Sequence, residues 1–196
     1  MSLMGSQTET KETPKLIRSN EAKTPVKEIA IFKTTKGEMV AEFWPDAAPK
    51  TVQNFIRLTK QGFFDGTAFH RIVKGFMIQG GDPLTKNAAN EDRFGEGGPG
   101  YTIKDESNPR KHVRGVLSMV TMGRPNSAGS QFIICLADAS FLNKKCTAFG
   151  CLIKGEDVLL SIGDTPVGPS RRGEQSKPSV RVGIESVTIM PADSLT

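Results

Sequence analysis

The chain contains many short β-rich runs joined by turns, with few helical stretches between them, and this pattern restricts it to an antiparallel architecture. Ile29 to Thr34 and Glu38 to Phe43 alternate apolar and polar residues around Thr35-Lys36-Gly37. Gly37 can take positive φ, so the two runs predict a hairpin. Strand-like runs recur at TAFHRIV from Thr67, at FMIQGG from Phe76, and over Gly115–Val120, Gln131–Leu136 and Thr147–Ile153. In the last run Val180, Val182 and Ile184 alternate in one phase, and Val187 and Ile189 in the other. A bulge near Glu185-Ser186 would restore the inward phase. Only two helical periods occur. Pro49, Val52, Phe55, Ile56 and Thr59 form one, ended by Gly62; Val158, Leu159 and Ile162 mark the other, over 155–162. About eight strands without βαβ alternation predict a mainly β fold: a closed eight-stranded antiparallel barrel capped by two α-helices.

Around that body the chain divides simply. Residues 1–27 are polar, of mixed charge and without hydrophobic period, so a disordered tail is expected there. The tail lacks the apolar core of a signal peptide, and Met4 points to a cloning remnant at 1–3. The domain is expected over 28–190, with a short tail at 191–196. Gly and Pro, 20 and 12 of 196 residues, make up about 16% against a usual 12% or so, in keeping with many turns. Residues 83–100 form a long, polar, Gly-rich surface loop, and 164–179 are turn-rich.

Several functions are excluded at this stage. No apolar run approaches the roughly 18 residues of a membrane span. The net charge of +5 permits nucleic-acid contact, and Arg110-Lys111-His112-Arg114 is a basic group, but no aromatic stacking platform accompanies it, so no nucleic-acid partner is expected. Three cysteines (Cys135, Cys146 and Cys151), no CxxC and two histidines give neither a disulfide framework nor a metal site. No metal and no cofactor are expected, and the free thiols suit a reducing cytoplasm. There is no GxSxG or phosphate-cradling loop. A nucleophilic triad would have to use His70 or His112 as its base.

The unusual segment is FHRIVKGFMIQGGD, residues 69–82. Alternation puts Phe69 and Arg71 on one face and Met77 and Gln79 on one face. If the strands adjoin, Arg71, Met77 and Gln79 converge beside Phe76. Spacing alone leaves two readings open: a cleft, or a core strand whose arginine snorkels to water.

FHRIVKGFMIQGGDP resembles the signature of the cyclophilin-type peptidyl-prolyl cis-trans isomerases, as do GVLSM at 115–119, PNSAGSQFII at 125–134 and FLNKKCTAFG at 141–150. The resemblance spans about 28–190 in matching order, and GGDP…GGPGYTIKDE is closer to bacterial members. It implies an eight-stranded barrel with two helices and catalysis of X–Pro isomerisation without metal or cofactor. It further implies that Arg71, Gln79 and Phe76 are catalytic. His70, Met77, Thr121, Met122, Gln131, Ile133, Phe141, Leu142 and Cys146 are implied to contact the peptide, with His70 mainly structural.

The departures from the family pattern lie around the pocket. Ile133 replaces an aromatic floor residue, Cys146 stands where a rim histidine is common, and Phe141 occupies a frequent tryptophan position. Val120 and Thr121 replace Ala-Asn, and Arg124 is inserted before Pro125. The expected partners are proline-containing unfolded or flexible polypeptides, with weak or no cyclosporin binding. A monomer is expected. A peptide-binding holdase with weak catalysis is the competing reading.

Overall fold

The structure, a computed structural model, describes residues 27–195; the tail expected before residue 27 lies outside the described residues. The first hairpin pairs β1 (Glu28–Thr34) with β2 (Gly37–Phe43), and Gly37 at φ +132° makes the turn. Helix α1 (Pro49–Lys60) follows. Its Ala48 N-cap has no side-chain acceptor, so the orphan N–H groups of the first turn need one from elsewhere. Glu106 supplies it, accepting from the Lys50 and Thr51 amides at 3.1 and 2.8 Å. Val52, Phe55 and Leu58 turn inward from this helix.

Strands β3 (Thr67–Ala68), β4 (Arg71–Val73), β5 (Met77–Gly80), β6 (Val116–Met119), β7 (Phe132–Cys135) and β8 (Ala148–Lys154) come next. Helix α2 (Glu156–Gly163) buries Leu159 and Ile162. A small hairpin, β9 (Val167–Pro169) with β10 (Gln175–Pro178), lies within the segment expected to be turn-rich, and β11 (Gly183–Pro191) completes the sheet. The expected bulge is present: Lys33 pairs with Ser186 and Thr34 with Ile184, leaving Glu185 as the extra residue. The loop at 83–100 carries two 3-10 turns, Pro83–Lys86 and Ala88–Arg93. After β11 a further 3-10 turn spans Ala192–Leu195.

The fold is mainly β with two helices, but two details of the expectation are corrected. The main sheet is antiparallel and has nine strands, in the order β3-β11-β1-β2-β8-β6-β7-β5-β4, rather than eight in a closed ring. Its ends, β3 and β4, are consecutive in the chain but not paired with each other. The Phe69 amide donates to Val182 O of β11 and the His70 amide to Gln79 O of β5, so the backbone passes from one edge of the curled sheet to the other within two residues. The second correction follows from the first. The break at 69–70 interrupts strand alternation, so Phe69 and Arg71 do not share a face. Phe69 is buried in the main core, with its ring 6.3 Å from that of Phe132.

Register then sorts the side chains. Ile72, Ile78, Ile134 and Leu117 form one cross-strand row and all belong to the main core. The next row is Arg71, Gln79, Ile133 and Ser118, which face the opposite side. Six phenylalanines (Phe32, Phe55, Phe64, Phe69, Phe132 and Phe149) fill the interior. A smaller cluster of Met77, Val116, Ile133, Cys135, Ala139 and Ala148 fills the outer face beneath the loops.

Candidate active site

The outer face carries Arg71, Gln79, Met77 and Ile133 of the predicted residues, with Phe76, Phe141 and Leu142 beside them. Antiparallel pairing sets Arg71 opposite Gln79 and Gln79 opposite Ile133. Met77 is fully buried and forms the floor with Ile133, and Phe76, Leu142 and Val120 pack around them. Phe76 sits in the β4–β5 turn, its amide donating to Val73 O at 3.0 Å. Its ring lies 5.2 Å from that of Phe141, which is 58% exposed on the rim. Cys146 is half-buried on the loop that carries Leu142, its amide donating to Leu142 O at 3.1 Å. Thr121 and Met122 lie on the neighbouring loop, where the Met122 amide donates to Ser127 Oγ at 2.8 Å. Met122 is exposed.

A chain of polar contacts crosses this face. Arg71 Nε and Nη2 donate to the two carboxylate oxygens of Glu174 at 2.7 and 2.8 Å, and Nη1 donates to Gln79 Oε1 at 3.1 Å. Gln79 Nε2 donates to Gln131 Oε1 at 2.8 Å. Gln131 Nε2 donates to the carbonyls of Gly95 and Gly97 at 2.9 and 2.8 Å. Gln131 is therefore buried and fully engaged, holding the loop at 94–97 rather than reaching toward the groove. That loop is pinned again by the buried Asp82, which accepts from the Leu84 and Gly95 amides. Gly81, at φ +83°, lets the backbone pass against Ser130 O, where a Cβ would collide.

Glu174 is the residue that sequence reasoning missed. It stands in the tip of the β9–β10 hairpin, 103 positions from Arg71, with no local signal beyond a charged turn. The Arg71 guanidinium beside it holds its carboxyl down at about 2. Both side chains are over a third exposed, so the pair adds only about 0–1 kcal/mol to folding. Its geometry matters more than its stability.

His70 lies at the seam between β3 and β4, against the Phe94 ring at 6.5 Å. Neither ring nitrogen has a hydrogen-bond partner. Burial pushes its pKa down to about 4, opposed by the Asp82 carboxylate. The ring is neutral at physiological pH and faces no reacting group.

Among the described residues, one other arrangement resembles catalytic machinery. Ser118 Oγ, His112 Nε2 (2.9 Å) and Asn143 Oδ1 (3.1 Å from His112 Nδ1) have the connectivity of a nucleophile, a base and an orienting group. Ser118 and His112 are sealed, at 0% and 1% exposure, so no substrate reaches them. Burial pushes the Cys135 thiol up to about 12 and that of Cys151 to about 11, and raises Cys146 as well. The reactive thiolate is scarce at all three. What the outer face offers is an apolar patch of Phe76, Met77, Ile133 and Leu142 with an oriented guanidinium in the neighbouring strand row.

Comparison with known proteins agrees. The family model described as cyclophilin type peptidyl-prolyl cis-trans isomerase/CLD matches residues 29–189. A putative peptidyl-prolyl cis-trans isomerase of Staphylococcus saprophyticus is 36% identical over 189 residues, covering 82% of this chain and 90% of its own. A peptidyl-prolyl cis-trans isomerase of Synechococcus elongatus is 45% identical over 121 residues, covering 62% of this chain and 77% of its own. Among solved structures, a Cryptosporidium parvum cyclophilin type peptidyl-prolyl cis-trans isomerase, crystallised in the presence of dipeptide Ala-Pro, superimposes with a TM-score of 0.73 at 33% identity, covering 83% of this chain and 98% of that one. With its motifs in order, its sheet curled as in that structure and its family model matched across nearly the whole described domain, the chain belongs to the cyclophilin-type peptidyl-prolyl cis-trans isomerases.

Proposed function

We propose that Arg71 is the group that accelerates X–Pro isomerisation in this enzyme, with Phe76, Met77, Ile133 and Leu142 holding the proline ring. The unaided reaction takes roughly tens to hundreds of seconds because rotation breaks amide resonance, at a barrier of about 18–20 kcal/mol. In the twisted transition state the C–N bond is nearly single and the proline nitrogen gains a lone pair. A donor aimed at that lone pair binds the transition state better than either planar ground state. Arginine is a pure donor and stays charged at any working pH. One charge-assisted hydrogen bond contributes about 1.5–3 kcal/mol, or roughly 10- to 100-fold. The apolar wall adds to this by excluding water, because the twisted amide is less dipolar than the planar one. Gln79 fixes Arg71 through its amide oxygen, and the exposed Met122 and Phe141 with the half-buried Thr121 and Cys146 form a rim that can meet the flanking peptide.

The observation that carries this reading is the row Arg71–Gln79–Ile133 across three paired strands, which puts the donor beside the pocket. The open, half-exposed groove suits unfolded or flexible proline-containing chains. Weak cyclosporin binding follows from Phe141, which offers a ring but no N–H donor at the rim. Three free thiols are consistent with work in the cytoplasm. The test is catalysis on a proline tetrapeptide. Arg71→Ala loses at least about tenfold in kcat/KM while its melting temperature stays near that of the wild type. Full activity in the folded variant refutes the assignment.

A further inference from the structure

We propose that Glu174 is a positioning residue for Arg71, turning its guanidinium so that the remaining N–H groups face the substrate; this rests on Arg71 being the catalytic donor. An arginine side chain on an open groove has four rotatable torsions and no preferred aim. Here two acceptors fix it on different edges. Glu174 takes the Nε–Nη2 edge with both carboxylate oxygens, and Gln79 takes one N–H of Nη1. Of the five N–H donors of a guanidinium, this leaves one on Nη1 and one on Nη2 for a ligand. The planar fork matched to a carboxylate sets the plane of the group as well as its place.

Glu174 can do this because its own position is held. The turn is closed by the Ser170 amide donating to Glu174 O at 2.7 Å and the Gly173 amide donating to Ser170 O at 2.9 Å. The hairpin is tied to the 83–100 loop by Lys177 to Glu91 at 2.9 Å and by Arg171 Nη1 donating to Asp92 O. β10 also packs beside β4, the strand that carries Arg71. Arg71 is thus held from two sides. Glu174 comes from the hairpin, and Gln79 connects through Gln131 to the same loop that the hairpin grips. The carboxylate offsets part of the positive charge, but the reaction needs a directed N–H more than a net charge. An interaction that only aims the transition-state donor acts on kcat and leaves ground-state binding alone.

The experiment measures kcat and KM for a proline tetrapeptide with wild type, Glu174→Ala, Glu174→Gln, Arg71→Ala and the double variant Arg71→Ala/Glu174→Ala. Glu174→Ala lowers kcat about three- to tenfold, the worth of one net hydrogen bond, with KM within about twofold. Glu174→Gln keeps the shape and one acceptor oxygen and recovers part of the loss. On the Arg71→Ala background, Glu174→Ala has no further effect, because there is nothing left to aim. Unchanged or faster turnover in Glu174→Ala, or an equal loss in the absence of Arg71, overturns the proposal. If Glu174→Ala does not fold, the isosteric Glu174→Gln decides alone, and wild-type kcat in it is an overturning result. Full activity in Arg71→Ala removes the underlying assignment as well. Loss in Arg71→Ala with none in Glu174→Ala removes only the role of Glu174.

Discussion

Phe132 and Ile133 are neighbours on one strand and belong to different parts of the protein. Phe132 points into the barrel, where its ring meets those of Phe32, Phe55, Phe64 and Phe69 at 5.8, 5.5, 5.8 and 6.3 Å. Ile133 points outward to Met77, Leu142 and the groove. The inner face is closed and aromatic, and its task is to fix the shape of the sheet. The outer face is smaller, partly open and built from flexible or modest side chains such as Met77, Ile133 and Ala148. A sheet of period two therefore separates stability from function residue by residue, and the departures from the family pattern at Ile133, Phe141 and Cys146 all fall on the outer side.

The separation breaks most visibly at Phe132. Phe132→Ala removes a ring from the centre of the packed interior and costs about 3–5 kcal/mol in chemical denaturation, enough to unfold a marginal domain. A loss under about 1 kcal/mol would mean the interior is not the load that holds the sheet. Next comes His70, at the seam between the faces. Its pKa is about 4 in the folded protein against 6.5 unperturbed. Below pH 6.5 the unfolded chain takes up a proton that the folded chain refuses until about pH 4, so stability falls with pH across that window, by up to about 3 kcal/mol. Glu174 adds a separate loss at lower pH, between its ordinary 4.5 and about 2. His70→Phe flattens the upper window in melting curves taken from pH 7 to 4. An unchanged pH slope would show that another group carries the transition.

Changes on the outer face leave the fold alone and move binding. Phe141→Trp supplies the missing rim N–H and tightens cyclosporin by about one to two decades, the cost of an acceptor left without its donor. Proline-peptide turnover is unaffected by the lack of an indole. Nanomolar inhibition of the wild type, or no gain in the variant, shows the rim is wrongly assigned. The smallest change is Ile133→Phe, which preserves or modestly raises turnover. Overfilling a packed site would instead cost about 1–3 kcal/mol, and a folded variant that no longer binds a proline peptide would show that the surrounding pocket is already fitted to isoleucine.

The legible parts of the molecule are those encoded within a few residues. The first hairpin, α1 and α2 follow from period and turn chemistry, and the two phases of Val180–Ile189 reveal the bulge at Glu185. The Arg71–Gln79 pair is legible because its strands are joined by one tight turn. Alternation assumes an unbroken strand and so puts Phe69 on the face of Arg71, and nothing local announces that residues 69 and 70 bond to opposite ends of the sheet. The resemblance implies Gln131 as a peptide-contact residue, yet its amide is consumed by carbonyls more than 30 positions away. The β9–β10 hairpin and Glu174 are invisible for the same reason. Their strands are short and polar, and the partner that gives Glu174 its meaning lies far back in the chain.

The strand order has a consequence for how the molecule is assembled. β11, the last strand of the described chain, lies between β1, the first, and β3. The opening hairpin can form as soon as it emerges, but one of its edges stays bare until residues beyond 182 arrive to cover it. Mean sequence separation between contacting residues is therefore high, and such topologies fold slowly, on the order of milliseconds to seconds. A growing chain carries this sheet incomplete until β11 emerges and docks between β1 and β3.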